Sequence, residues 1–142
     1  MFAATGQTLF GLISWLVVPG PNRGDEWPHD PDDFQYELVM SLPETRFAVT
    51  GPDLFECLMK LRRQHLDPQS WKIGCNGARE NAWASGMLRT SGGGIHVYLL
   101  KGTTNGPLRL APTFGPAPKR SVVTVERQLA YYEAVMRTDG MI

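Results

Sequence analysis

The sequence predicts an α+β domain: a small antiparallel or mixed sheet with two main helices packed on one face. Three observations carry that expectation. Phe34–Met40 and Phe47–Val49 alternate apolar and polar residues as half-buried strands do, with Leu42-Pro43-Glu44-Thr45 between them. Two later stretches, from Thr50 to about His65 and from Thr124 onward, space apolar residues three and four apart, the helical period. The order strand, strand, helix, strand, long loop, strand, helix lacks the regular alternation of a doubly wound nucleotide fold.

The chain has 142 residues, 42% of them hydrophobic, enough for one core without staples. Residues 1–33 read as an N-terminal apolar segment and a Pro-rich acidic linker, packed on or extending from the body. Residues 34–142 read as a single α+β domain.

Leu9–Val18 is apolar but short of the about 20 residues that cross a bilayer. No Lys or Arg precedes it, and Pro19-Gly20-Pro21 ends it without a small-residue cleavage site. A packing segment is expected rather than an anchor or secretory signal, and with it a cytoplasmic location. Residues 19–33 hold four prolines and no apolar period, so they form a loop that Trp27 can pin to the body.

In the first helix, Leu54, Leu58, Leu61, Phe55 and Met59 form a stripe facing the sheet. Thr50 is its expected cap, with Pro52 in the first turn and Asp53 three residues on. Asp67-Pro68 stops it, and Trp71, Ile73 and Cys75 alternate as a third strand. Ile95–Leu100 is a fourth strand and Leu108–Leu110 a short edge strand. Thr124 caps a last helix along Val125, Leu129, Tyr132 and Met136.

The 14 cations balance 14 carboxylates, which excludes a strongly basic nucleic-acid binder. The signs are segregated. Residues 23–37 hold one cation against six carboxylates, whereas residues 60–127 hold eleven cations against three. That asymmetry fits an acidic and a basic face, or closure of the first segment over the second. Cys57 and Cys75 both read as buried thiols.

The connection from Asn76 to Gly94 is nineteen residues long, beyond the usual length of a structureless loop. Arg79 and Arg89 offer planar donors, Asn76, Asn81, Ser85 and Thr90 directional polar groups, and five glycines close backbone approach. One reading is a preformed recognition surface with both arginines pointing outward and Trp83 or Met87 as anchor. The other is an Ω-like loop or short helix whose arginines only bond loop carbonyls. Gly92-Gly93-Gly94 enters a strand, not a helix, and no Gly-Lys-Ser/Thr follows, so a phosphate loop is poorly matched.

Cys75-Asn76-Gly77-Ala78-Arg79, Ser85-Gly86-Met87 with Arg89, Gly92-Gly93-Gly94 and Val97-Tyr98-Leu99 resemble a pattern in small uncharacterised bacterial proteins, some from toxin-immunity gene neighbourhoods. The likeness extends over Phe34–Arg137, including Thr124-Val125-Glu126-Arg127-Gln128 and Tyr131-Tyr132-Glu133. It carries no catalytic or binding residue across.

Catalytic constellations are thin. Cys75 and His96 are conceivable as a nucleophilic pair on neighbouring strands, but a core thiol and a surface imidazole explain both. His29, Asp30, Asp32 and Asp33 lack a recognisable ligand rhythm and read as a solvated loop, not a metal site. No cofactor is expected.

The expected function is a non-catalytic protein-binding module, an immunity or antitoxin-like inhibitor that occludes a bacterial partner protein. Its partner would be a protein, most concretely a toxin domain, and neither nucleic acid nor membrane; oligomeric state is left open. Asp30, Asp32 and Asp33 would steer a basic partner, while Trp27, Trp83, Arg79 and Arg89, with Asn76 and Ser85, would make the contacts. The alternative is a small anionic ligand or nucleotide held by Asn76, Arg79, Ser85 and Arg89.

Overall fold

The computed structural model describes residues 1–3, 6–20, 34–100 and 109–138. The chain is α+β. Among the described residues its strands fall into three antiparallel sheets rather than the single sheet expected. The first joins β2 (Leu12–Pro19), β3 (Phe34–Ser41) and β4 (Arg46–Gly51) in that order, with β3 central. The second joins β6 (Ala82–Trp83), β7 (His96–Leu99) and β8 (Arg109–Pro112). A ribbon pairs β1 (Phe2–Ala3) with β5 (Trp71–Lys72).

Among the described residues there are three α-helices: α1 (Leu54–Leu61), the single-turn α2 (Gly86–Thr90) and α3 (Val125–Thr138). Both α1 and α3 contribute to the core of the second sheet, and α1 packs against the first as well. Leu54, Cys57, Leu58 and Leu61 of α1 pack with Leu38, Met40 and Val49 of the first sheet. Phe55 and Met59 pack with Ala82, Val97, Leu99 and Ala111 of the second sheet and with Val125 of α3. The stripe predicted for one face is thus divided between two cores, and α1 lies between them.

The cap of α1 is Asp53, not Thr50. Its Oδ1 accepts from the Glu56 N–H at 2.8 Å, while Thr50 continues β4 opposite Glu37. At the other end a π-helical turn over Arg62–Leu66 buries Arg62 and Leu66, and a 3₁₀ turn over Asp67–Gln69 follows, which Ser70 ends in the left-handed region at φ 58°. The predicted third strand is regular only over Trp71–Lys72, because its partner β1 is two residues long. Ile73 and Cys75 then turn into the first core.

The long connection is structured. It holds a 3₁₀ turn at Asn76–Ala78, then β6, α2 and a tight turn over residues 91–94. Gly94 has φ +74°, and a Cβ there would lie 2.6 Å from the Phe55 backbone nitrogen. The Leu54 N–H donates to the Gly93 carbonyl at 2.8 Å. Gly94 therefore serves close approach to the start of α1, where the Gly93 carbonyl already fills the place an anion would favour.

Candidate functional site

At the junction of α1, α3 and the long connection lies a buried polar clamp. Arg62, 2% exposed, donates through Nη1 to the Gln128 Oε1 and through Nη2 to the carbonyls of Val123 (2.7 Å) and Ala78 (3.4 Å). Gln128 Nε2 donates in turn to the carbonyls of Gly77 (3.0 Å) and Ala82 (2.8 Å). Burial lowers the Arg62 pKa to about 10, which leaves it a cation at neutral pH. No carboxylate pairs with it among the described residues, so carbonyl and amide dipoles satisfy the charge. Neither residue figured among the expected site residues. The available signal was Gln128 sitting three residues after Val125, on the face that should have been apolar.

Of the expected binding residues, Trp27, Asp30, Asp32 and Asp33 lie outside the described residues, as does His29. The other five separate into two groups. Asn76 is buried, donates from Nδ2 to the Pro112 carbonyl at 3.0 Å, and accepts from Arg79 Nη1 at 3.4 Å. Arg79 Nε is buried without a hydrogen-bond partner, alone in this among the described side chains.

In the second group Ser85 caps α2, its Oγ accepting from the Leu88 N–H at 3.2 Å. Trp83 stacks on Tyr132, with ring centroids 4.0 Å apart and planes at 13°, and meets Phe55 edge-on at 5.4 Å. The Arg89 guanidinium covers the rings of Phe55 and Trp83 at 4.7 and 5.2 Å. Its Nε donates to the Ala84 carbonyl at 3.1 Å, and its Nη1 pairs with Glu56 at 3.4 Å. Arg89 is therefore folded back onto the body rather than reaching outward. Its planar group finds two aromatic faces, a carbonyl and a carboxylate within the chain. Trp83 anchors the connection as expected of it, whereas Met87 is exposed and holds nothing down.

The conspicuous free surface is elsewhere. Strand β2 pairs only with β3 among the described residues, so its outer edge keeps unpaired backbone groups. Trp15, Leu16 and Val17 stand 43%, 49% and 53% exposed, flanked by exposed Phe10, Leu12 and Phe34. Register sets Trp15 and Val17 beside Leu38 and Tyr36 on the core face, and Leu16 beside Glu37 on the other. Apolar side chains thus flank the edge on both sides. The signal is the apolar run Leu9–Val18, a packing segment whose partner, its own chain or another, the sequence leaves open.

The Cys75 thiol is buried and its pKa is pushed up to about 11, which keeps it protonated at neutral pH, and His96 is exposed on β7. Both cysteines are free and buried. Among the described residues no group of His, Cys, Asp and Glu is placed to hold a metal ion, and no helix is long and apolar enough to cross a membrane.

Compared with known proteins, the chain matches no family model and no curated protein.

Proposed function

We propose that the chain is a non-catalytic protein-binding module, an inhibitor of the immunity or antitoxin type that occludes a bacterial partner, and that β2 is where the partner docks. The observation that carries this reading is the outer edge of β2, unpaired among the described residues, in a strand eight residues long, uncharged, and bearing exposed Trp15, Leu16 and Val17. A partner presenting an extended segment would add a fourth strand to the β2–β3–β4 sheet. Main-chain hydrogen bonds would supply affinity, and apolar pockets on alternate faces specificity. The acidic residues Asp30, Asp32 and Asp33 follow β2 in sequence and would favour a basic partner through long-range attraction.

A photo-reactive cross-linker placed at Leu16, with Arg63 on the π-helical turn as control position, tests this in a bacterial host. The expected result is one partner captured at position 16 alone, toxic when expressed by itself and neutralised by co-expression of the chain. Leu12→Lys with Leu16→Lys should remove both capture and neutralisation while leaving the melting temperature nearly unchanged, since both side chains are exposed. Equal capture at both positions, or a partner neutralised as well by the double variant, would refute the reading. Capture of a second copy of the chain would make β2 a homodimer edge instead.

A further inference from the structure

A second surface, independent of β2, has the opposite chemistry. The β1–β5 ribbon, the 3₁₀ turn at Lys119–Ser121 and the first turns of α3 border an open cleft of about 680 Å³. Lys72, Lys119, Arg120 and Arg127 line it against one carboxylate, Glu80. Arg127 is paired with that carboxylate at 2.7 Å, and Lys119 donates to Thr8 at 3.1 Å while lying over the Phe2 ring. The side chains of Lys72 and Arg120 make no hydrogen bond or ion pair among the described residues.

We infer that this cleft binds a small phosphate-bearing molecule, with Lys72 and Arg120 as the principal anion contacts. With Arg127 neutralised by Glu80, Lys72, Lys119 and Arg120 leave the cleft lining with an excess of positive charge, which an anion bound there would offset. Arg120 can take two phosphate oxygens in its planar fork, and Lys72 adds a mobile point charge. Phe2, Val122 and Tyr131 give the uncharged part of the ligand an apolar wall. The start of α3 does not compete for the anion, because the Val125 N–H donates to Asp67 at 2.9 Å and the Arg127 N–H to Thr124 at 3.3 Å. Binding is therefore a matter of side chains.

The cleft favours a small molecule over a nucleic acid. Its volume is that of a pocket for one compact ligand, and the chain as a whole has no net charge to hold a long polyanion.

Calorimetric titration with inorganic pyrophosphate, ADP and adenosine tests the inference at low salt. Pyrophosphate and ADP should bind and adenosine should not. Lys72→Gln and Arg120→Gln should each weaken ADP binding about tenfold, and Glu80→Gln should strengthen it. Melting of the unliganded variants should stay nearly unchanged, which separates a lost contact from a lost fold. The inference is overturned if neither phosphate probe binds, or if the Lys72→Gln/Arg120→Gln double variant binds ADP as the parent does. It is equally overturned if single-stranded DNA binds more tightly than ADP and gains affinity with length.

Discussion

Gln128→Met isolates the clamp that holds the long connection to α1 and α3. Methionine is close to glutamine in length, so little cavity forms, but three hydrogen bonds vanish: one from Arg62 and two to the carbonyls of Gly77 and Ala82. Each buried group so orphaned costs about 1–3 kcal/mol. Arg62 keeps its bonds to Val123 and Ala78, and neighbouring groups relax, so the net loss should be about 3–5 kcal/mol. That is a large share of the about 5–15 kcal/mol available to a domain, and it should lower the melting temperature by about 10 °C or more.

Urea unfolding followed by tryptophan fluorescence measures the loss, and an unchanged slope would show that the end states are the same. A loss below about 1 kcal/mol would refute the reasoning, because water would then be reaching the site. Arg62→Met/Gln128→Met provides the cross-check. With both polar partners gone, the double variant should lose less than the two single variants together.

Leu58→Ala should cost about 2–5 kcal/mol in the same melt, since Leu58 is fully buried between α1 and the first sheet, and an unchanged midpoint would contradict that packing. Gly94→Ala should destabilise strongly, because its φ is +74° and the added Cβ meets the start of α1, whereas Gly86→Ala has open space and should be nearly neutral or slightly stabilising. Comparable midpoints for the two variants would show that the glycine turn does not press on α1. Burial raises the Cys57 and Cys75 thiols from 9.0 to about 11, so between those values the unfolded chain loses protons that the folded one keeps. Their contribution should be complete below about pH 9 and lost as pH rises toward 11, and the decline should shrink in Cys57→Ala; equal pH profiles for variant and parent would exclude this origin.

Local pattern conveyed the elements better than their partners. Tyr36, Leu38 and Met40 alternate because one face of β3 meets α1, and that relation is visible in a window of seven residues. Strand pairing is not local. Ile95–Leu100 reads as a strand wherever it pairs, and only the fold sets it between β6 and β8 rather than beside β3. The same limit applies to α1. A stripe five residues wide can serve one broad sheet or two narrower cores, and the sequence pattern is identical for both.

Charge was legible as a sum and not as a disposition. Arg62, Arg89 and Arg120 look alike in the sequence, yet one is sealed among carbonyls, one lies on two aromatic rings, and one is free at a cleft. The difference comes from what folds against each. Arg62 is the first residue of the π-helical turn, and Arg89 follows Trp83 by six residues, with α2 bringing it back over the ring. Length and composition marked the 76–94 connection correctly as unusual, but much of its polar chemistry is directed inward, where backbone outside regular ladders must find partners.

The edge of β2 presents the reverse situation, a surface whose composition belongs inside. Natural edge strands are commonly blunted by charge, by proline within the strand or by a bulge, because an unprotected edge recruits other strands. Here the register with β3 runs unbroken from Leu12 to Pro19, proline enters only at the last position, and the strand carries no charge. A strand of this length and composition is a liability if it stays bare and an interface if it is regularly covered. On that argument Leu16→Lys should reduce association through the edge, whether with a partner or with a second copy, and sedimentation of parent and variant side by side would measure the second. If the parent remains monomeric and the variant captures the partner normally, the edge is protected by some other means, and the docking surface must be sought away from β2.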